Sequence, residues 1–179
     1  MLDESKINVD KNLLQHIKEN VFPRYEKFYS HDMRHIERVI ETITMLARYF
    51  NLDENMAFTI ASYHDVGLSI DRKHHEITSG QALANDEKLR EFFTEEQIET
   101  MREAVEDHRG SRVERPRNIM GKFCRMPIGI LTSKLWRGEP WPLQSRNLRV
   151  LLSKSISKNA VVFWKNAKAR SVFGRNALS

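Results

Sequence analysis

The feature that most constrains this chain is a run of apolar residues spaced three and four apart between His35 and Phe50. Because an α-helix completes a turn in about 3.6 residues, this spacing places the apolar side chains on one helical face. That face is formed by Ile36, Val39, Ile40, Ile43, Leu46, Ala47 and Phe50. The pattern predicts a long amphipathic helix that buries this face against other helices.

Capping residues indicate further helices. Asp53 is a suitable N-cap, because its carboxylate can accept hydrogen bonds from the first free backbone N–H groups of a helix. Thr94 and Gln97 have the spacing of a capping box. Segments 9–20 and 76–88 are weaker helix candidates, and the alternation typical of β-strands does not recur. We therefore predict an all-α protein.

The charge of the chain divides it into two regions. The 179 residues carry a formal net charge of +5. Residues 1–122 contain 18 Lys and Arg against 23 Asp and Glu, whereas residues 123–179 contain 11 against the single acid Glu139. The helical spacing is also lost after Phe123. We predict a helical domain over residues 1–122 and an atypical, poorly ordered basic tail over residues 123–179.

Composition argues against several classes of protein. No apolar run approaches the roughly 20 residues that cross a bilayer. The polar N-terminal residues do not resemble a secretory signal. The single cysteine, Cys124, excludes an internal disulfide framework. The sequence therefore predicts a cytoplasmic protein without a membrane partner.

All seven histidines lie in the first 122 residues, and three of them continue apolar helical faces: His35, His64 and His108. One histidine on such a face is usually a packed core residue. Three on different helices can instead converge on a divalent cation that satisfies their buried nitrogens. His64 is followed by Asp65, and neighbours on a helix diverge by about 100°. Both can therefore reach one ion only if it lies at the end of their helix, near Gly67.

The motifs around these residues resemble those of the HD superfamily of metal-dependent phosphohydrolases. HDMRHIERV (31–39) resembles the first HD motif, in which His35 would bind the metal ion. ASYHDVGLS (61–69) resembles the second, with His64 and Asp65 as the metal-binding pair. The resemblance covers about residues 25–122 and implies an HD-domain helical bundle.

Two further segments, KHHEITSG (73–80) and AVEDHRGSR (104–112), are similar to parts of a bacterial HD subfamily. The resemblance implies hydrolysis of a small phosphate ester, with a nucleotide as a candidate substrate. Mn²⁺, Mg²⁺, Fe²⁺, Ni²⁺ and Zn²⁺ all suit a mixed imidazole and carboxylate site.

Other polar residues receive functional or structural roles on this basis. The candidates for proton transfer, orientation of the ligands or a second metal ion are His31, His75 and His108. The candidates for binding substrate phosphate are Arg38, Arg109 and Arg112, since guanidinium groups bind phosphate oxygens in pairs. Alternatively, the arginines after His108 form ion pairs with nearby acids on a solvated face. His16 and His74 are assigned ordinary structural roles.

The resemblance implies one more aspartate, in an Ala-Asp pair on a later helix, but the chain has no aspartate after Asp107. The likeness stops at residues 118–122. Read one base out of frame, the codons of residues 123–131 force an alanine between two codons that can encode aspartate. Leu-Ser-Asp-Ala-Asp-Arg-Asp-Phe is then encodable.

We interpret residues 123–179 as a frameshifted reading of an HD-family gene. This predicts weakened metal binding and little or no hydrolase activity. Two alternatives stay open: a non-catalytic module that binds nucleotide or metal, and a nucleic-acid binder that uses the basic tail with Trp136, Trp141 and Trp164 for stacking. We rank the nucleic-acid binder last, because a frameshift explains the tail without selection for binding. The sequence does not indicate an oligomeric state.

Overall fold

The computed structural model describes residues 2–25, 33–109 and 114–125, and in these ranges the regular elements are helices, without a β-strand. This confirms the predicted all-α class. Five α-helices are α1 (Lys11–Asn20), α2 (Met33–Tyr49), α3 (Glu54–Tyr63), α4 (His75–Ala84) and α5 (Glu95–Glu106). A sixth, α6, covers residues 119–125. Short 3-10 helices span Glu4–Lys6, Phe22–Tyr25, Val66–Ser69 and Glu87–Glu91.

The ends of the helices follow from local hydrogen bonds. The Asp53 side chain accepts from the backbone N–H groups of Asn55 and Met56, which caps α3. Thr94 and Gln97 form the predicted capping box at the start of α5.

The C-terminus of α2 closes in a Schellman motif. Asn51 has a left-handed backbone (φ 54°). The N–H of Leu52 donates to the carbonyl of Ala47, and the N–H of Asn51 donates to that of Arg48. These two bonds satisfy carbonyls that the end of a helix would otherwise leave without partners.

Helix α3 is the centre of the domain. Every residue from Met56 to Tyr63 is buried, and the helix packs against α1, α2, α4 and α5. A helix that is apolar on all sides must be enclosed by others. The C-terminal end of this enclosed helix places His64 and Asp65 in the interior.

Helix α6 packs beside α5. The side chain of Asn118, just before α6, donates to the carbonyl of Thr100 and to Glu103 on α5. Residues 123–125, the first three of the predicted tail, belong to this helix, and Phe123 and Cys124 are buried. The rest of the predicted tail, residues 126–179, lies outside the described residues. Among the described helices, we find none whose length and apolar character suit a membrane span.

Candidate metal centre

The site is built around the two residues that follow α3. His64 is the C-cap of this helix, and Asp65 precedes the 3-10 helix Val66–Ser69. Because the helix ends here, the two side chains can face the same point, as the sequence analysis required. The Nε2 atom of His64 lies 3.1 Å from Oδ2 of Asp65, and both side chains are buried.

Three imidazoles from other parts of the chain also approach Asp65. His35, in the first turn of α2, has its Nε2 atom 3.9 Å from Oδ2 of Asp65. His75, the first residue of α4, and His108, two residues beyond α5, have Nε2 atoms 3.4 Å and 3.5 Å from Oδ1. Asp65 therefore belongs to two groups of candidate ligands, one with His35 and His64 and one with His75 and His108. The ligand atoms of each group lie within 4.8 Å of one another.

Backbone carbonyls set the orientation of three of these rings. The Nδ1 atom of His64 is 2.7 Å from the carbonyl oxygen of residue 61. The Nδ1 atoms of His75 and His108 are 3.3 Å and 2.6 Å from the carbonyl oxygens of residues 72 and 105. A carbonyl oxygen can only accept, so each Nδ1 carries the proton. The other ring nitrogen, Nε2, then faces Asp65, and it is the atom through which a neutral histidine of this tautomer binds a metal ion.

The Nε2 atom of His64 supplies a direct test of fit. This atom is buried and, within the part of the chain that the structure describes, has no hydrogen-bond partner despite its closeness to Asp65. A buried polar atom without a partner is costly. A divalent cation among His35, His64 and Asp65 would satisfy it. The residues present therefore fit a metal ion.

Electrostatics within the cluster keep Asp65 ionised. Burial tends to raise the pKa of this carboxyl, but His64 and His108 outweigh burial and hold the pKa well below its usual range. Burial tends to lower the pKa of His64, and the nearby Asp65 carboxylate reverses this and raises it. Burial lowers the pKa of His75, which favours its neutral, metal-binding form. The cluster thus combines one carboxylate with four imidazoles.

A close backbone contact brings α4 to this cluster. A Cβ atom added at Gly67 would lie 2.5 Å from the carbonyl oxygen of His75 and 2.6 Å from the backbone nitrogen of Ser79. The N–H of Gly67 donates to the hydroxyl of Ser79 at 2.8 Å. Only glycine allows this approach, and the approach sets the distance from His75 to Asp65.

A family comparison agrees with this geometry. The HD domain model matches residues 33–150 of the chain, which include all five residues of the cluster. The chain belongs to the HD domain family. Membership confirms the resemblance seen in the sequence and relates the chain to metal-dependent hydrolases in general. The matched region continues through residues 123–150, which are part of the predicted basic tail.

A solved structure has the same fold. It is the crystal structure of a predicted HD superfamily hydrolase from an uncultured Thermotogales bacterium, with a TM-score of 0.56 and 15% sequence identity. The match covers 94% of this chain and 95% of the other. At this identity the likeness shows an HD-type fold alone. No curated protein matches the sequence.

The structure brings together five of the residues singled out from the sequence of this HD domain. The candidate metal ligands His35, His64 and Asp65 converge, and His75 and His108 join them. His31 and Arg112 lie outside the described residues. The two histidines given structural roles have partners elsewhere: His16 contacts Asp86, and the exposed His74 contacts Asp71.

The candidate phosphate-binding arginines lie in different settings. Arg38 is exposed on α2, one turn beyond His35. Arg109 donates to the carbonyl of Lys73 at 2.9 Å and lies near the Glu76 carboxylate. Arg117, which was not a phosphate-binding candidate, forms the ion pairs of the alternative with Glu106 and Asp107, but both carboxylates are buried and do not lie on a solvated face.

Two residues with roles near the cluster were missed. Gly67 was used only to mark the end of a helix, although a glycine directly after a His-Asp pair is a signal for close backbone approach. Glu76 follows His75 directly and is buried, but a carboxylate at a helix start is usually read as a favourable charge for the helix. Its burial is visible only in three dimensions.

Proposed function

We propose that this chain is a metal-dependent phosphohydrolase that acts on a small phosphate ester, and that nucleotides are the substrate class to test first. The observation that carries the proposal is the convergence of four imidazole nitrogens on one buried carboxylate, with three of the rings oriented by backbone carbonyls. Structural histidine clusters do not need this common orientation.

The ligand set indicates which residues would hold the ion. His35, His64 and Asp65 would form one group of ligands, and Asp65, His75 and His108 would form the other. A bound divalent cation polarises a phosphoryl oxygen and lowers the pKa of coordinated water. Four imidazoles with one carboxylate favour transition ions such as Mn²⁺, Fe²⁺, Ni²⁺ and Zn²⁺ over Mg²⁺, which prefers oxygen ligands.

His75 is the candidate for proton transfer when only the first ligand group holds an ion, because its Nε2 atom is then not a metal ligand. Its side chain is 13% exposed, compared with 1% for His64 and 6% for His108, so solvent reaches it most easily of these three. Burial lowers its pKa, so that at neutral pH the ring is neutral and able to accept a proton. Arg38, Arg109 and Arg112 are the candidates to bind the substrate phosphate.

The absence of an aspartate after Asp107 supports a weakened site in this chain. A second carboxylate would offset the charge of the ion, which the single Asp65 offsets only in part. In the frame that we propose to be the original one, aspartates would replace Met126 and Ile128. The alternative is that residues 123–150 are a selected part of the HD domain, and the family match through residue 150 favours it.

The decisive experiment compares this chain with a version whose reading frame is restored after Lys122. Metal content is measured by mass spectrometry, and hydrolysis is measured with a generic phosphoester and with nucleotides in added Mn²⁺. We expect weak metal binding and little hydrolysis from this chain, and tight binding with turnover from the restored version. Tight, near-stoichiometric metal in this chain would contradict the weakened site.

A second candidate function, a non-catalytic module that binds nucleotide or metal, is favoured by the same missing carboxylate. The restored version separates the two. Turnover after restoration supports the phosphohydrolase, whereas metal binding without turnover in both versions supports the binding module. Absence of metal binding in both versions would refute the phosphohydrolase and the metal-binding form of the module.

A further inference from the structure

Two pairs of consecutive residues lie opposite each other beside Asp65. His75 and Glu76 begin α4, and His108 and Arg109 follow α5. The rings of His75 and His108 have centroids 5.3 Å apart. The Nη1 atom of Arg109 lies 3.3 Å from Oε2 of Glu76 and 3.4 Å from Oε1. The first residue of each pair therefore points at Asp65, and the second residues form an ion pair with each other.

Glu76 is an unusual residue to find in this position. It is 5% exposed, and a buried carboxylate is unfavourable unless hydrogen bonds or a counter-charge compensate it. Its own backbone N–H and the Arg109 guanidinium, 3.3 Å and 3.4 Å from the two carboxylate oxygens, supply that compensation. Arg109 is therefore one of the groups that compensate the buried charge of Glu76.

Arg109 also contacts the loop that orients His75. Its Nη1 atom donates to the carbonyl oxygen of Lys73 at 2.9 Å. The neighbouring carbonyl, that of Arg72, accepts from Nδ1 of His75 and so determines which nitrogen of that ring faces Asp65. One guanidinium thus holds both the loop before α4 and the carboxylate at its start.

We propose that Glu76 and Arg109 are a positioning pair that holds His75 and His108 against Oδ1 of Asp65. The inference rests on the proposed metal site and assigns its second ligand group a structural support. It also gives Arg109 a role different from binding substrate phosphate. The two roles predict different behaviour in the absence of any substrate.

The direction of the change in metal affinity on substitution of Arg109 distinguishes a positioning role from a purely electrostatic one. Removing the positive charge of Arg109 would strengthen cation binding if the residue acted only through its charge. If Arg109 positions the two histidines, the same substitution weakens binding. Loss of a partner that orients a metal ligand typically weakens metal binding by about 10- to 100-fold.

The test is a titration of the full chain with Co²⁺, followed by its visible absorption spectrum, which reports the ligands and geometry of the ion. The variants are Arg109→Gln, Arg109→Lys, Glu76→Gln and the double variant Arg109→Gln/Glu76→Gln. The matched control is Glu99→Gln, which breaks the exposed Glu99–Arg102 ion pair on α5 (2.6 Å). Circular dichroism checks that each variant is folded.

We expect Arg109→Gln and Glu76→Gln each to weaken Co²⁺ binding about 10- to 100-fold and to change the spectrum. The double variant should be little worse than either single variant, because the two residues act as one unit. Arg109→Lys should restore part of the affinity, and Glu99→Gln should match the unchanged chain.

Three results would overturn the inference. In the first, Arg109→Gln binds Co²⁺ as tightly as the unchanged chain, or more tightly. In the second, only one of the two single variants weakens Co²⁺ binding, or the losses of the two single variants add in the double variant. In the third, the unchanged chain binds no Co²⁺, and the proposed function then fails as well. If Glu76→Gln does not fold, Arg109→Gln still decides, because the Arg109 side chain is 40% exposed.

Discussion

Two clusters of histidine and aspartate lie on either side of the end of α3, and they differ in how their polar atoms are satisfied. Tyr63 donates to Oδ2 of Asp86, and His16 donates to the same oxygen at 2.7 Å. Oδ1 of Asp86 accepts from the backbone N–H of Lys88. The next residue, His64, turns to Asp65 instead, where four imidazoles face a single carboxylate.

The difference teaches how to separate structural from functional histidines. In the Asp86 cluster each donor has an acceptor, and the Nδ1 atom of His16 lies 3.2 Å from the side-chain nitrogen of Asn20. That cluster is complete without a ligand. In the Asp65 cluster a buried nitrogen of His64 lacks a hydrogen-bond partner among the described residues. A cation can complete the second cluster and has no place in the first.

The comparison is tested most strongly by the same substitution in both clusters. We expect Asp65→Asn to weaken Co²⁺ binding by more than about 100-fold, because it removes the carboxylate shared by both ligand groups. This loss should exceed that caused by removing a residue that only orients a ligand. Asp86→Asn should leave the affinity within about twofold, since it lies outside the ligand set. Equal affinities for the two variants in a Co²⁺ titration would remove the distinction.

The next largest effect is expected at Gly67, whose close contact with α4 supports the Asp65 cluster and not the Asp86 cluster. Gly67→Ala places a methyl group against backbone atoms of α4. We expect a loss of about 1–3 kcal/mol in the free energy of unfolding, and weaker Co²⁺ binding because His75 moves from Asp65. Urea denaturation and metal titration measure the two effects.

The control for this variant is Gly121→Ala in α6, where the nearest atom, Cβ of Pro116, is 3.2 Å from the added carbon. Its stability should change little, because the helix propensity of alanine offsets a slight crowding. A similar loss in both variants would contradict a special role for Gly67.

The Asp86 cluster should govern stability without affecting metal. Asp86→Ala leaves the buried hydroxyl of Tyr63 without its acceptor, and we expect a loss of about 1–3 kcal/mol in the free energy of unfolding. Glu91→Ala, which removes the exposed partner of Lys88, should change it by less than about 0.5 kcal/mol. Urea denaturation compares the stability of the two variants. A lower Co²⁺ affinity of Asp86→Ala would contradict the separation of the two clusters.

The smallest expected effect is the pH dependence of the contribution that Asp86 makes to the free energy of unfolding. Burial tends to raise the pKa of Asp86, but hydrogen bonds from Tyr63 and His16 outweigh it and lower the pKa. The folded state therefore binds fewer protons here than the unfolded state. The stabilisation is complete above the unfolded pKa of about 3.9 and is lost as pH falls through the lower folded pKa.

Urea denaturation should consequently show a difference between the unchanged chain and Asp86→Ala that becomes smaller as the pH falls below about 4. A difference that grows on acidification would mean that the pKa of Asp86 is raised by folding.

Much of the fold could be predicted because it depends on contacts between residues close in sequence. Asp53 and the Thr94–Gln97 pair cap helices within three residues of themselves. The apolar spacing of α2 likewise predicts which of its faces is buried. The HD motifs added the grouping of His35, His64 and Asp65. The spacing could not distinguish ligands from supporting residues, as Arg109 illustrates.

The sequence alone thus determined most of the helices, the caps of α3 and α5 and the histidines on inward faces, because periodicity and capping act over a few residues. Only the tertiary structure decided that His16 meets Asp86, 70 residues away, while His75 and His108 meet Asp65. It also turned Arg109 toward Glu76, 33 residues away. The physical reason is that distances between remote residues depend on how helices pack, and packing at Gly67 and the burial of Glu76 are properties of no single segment.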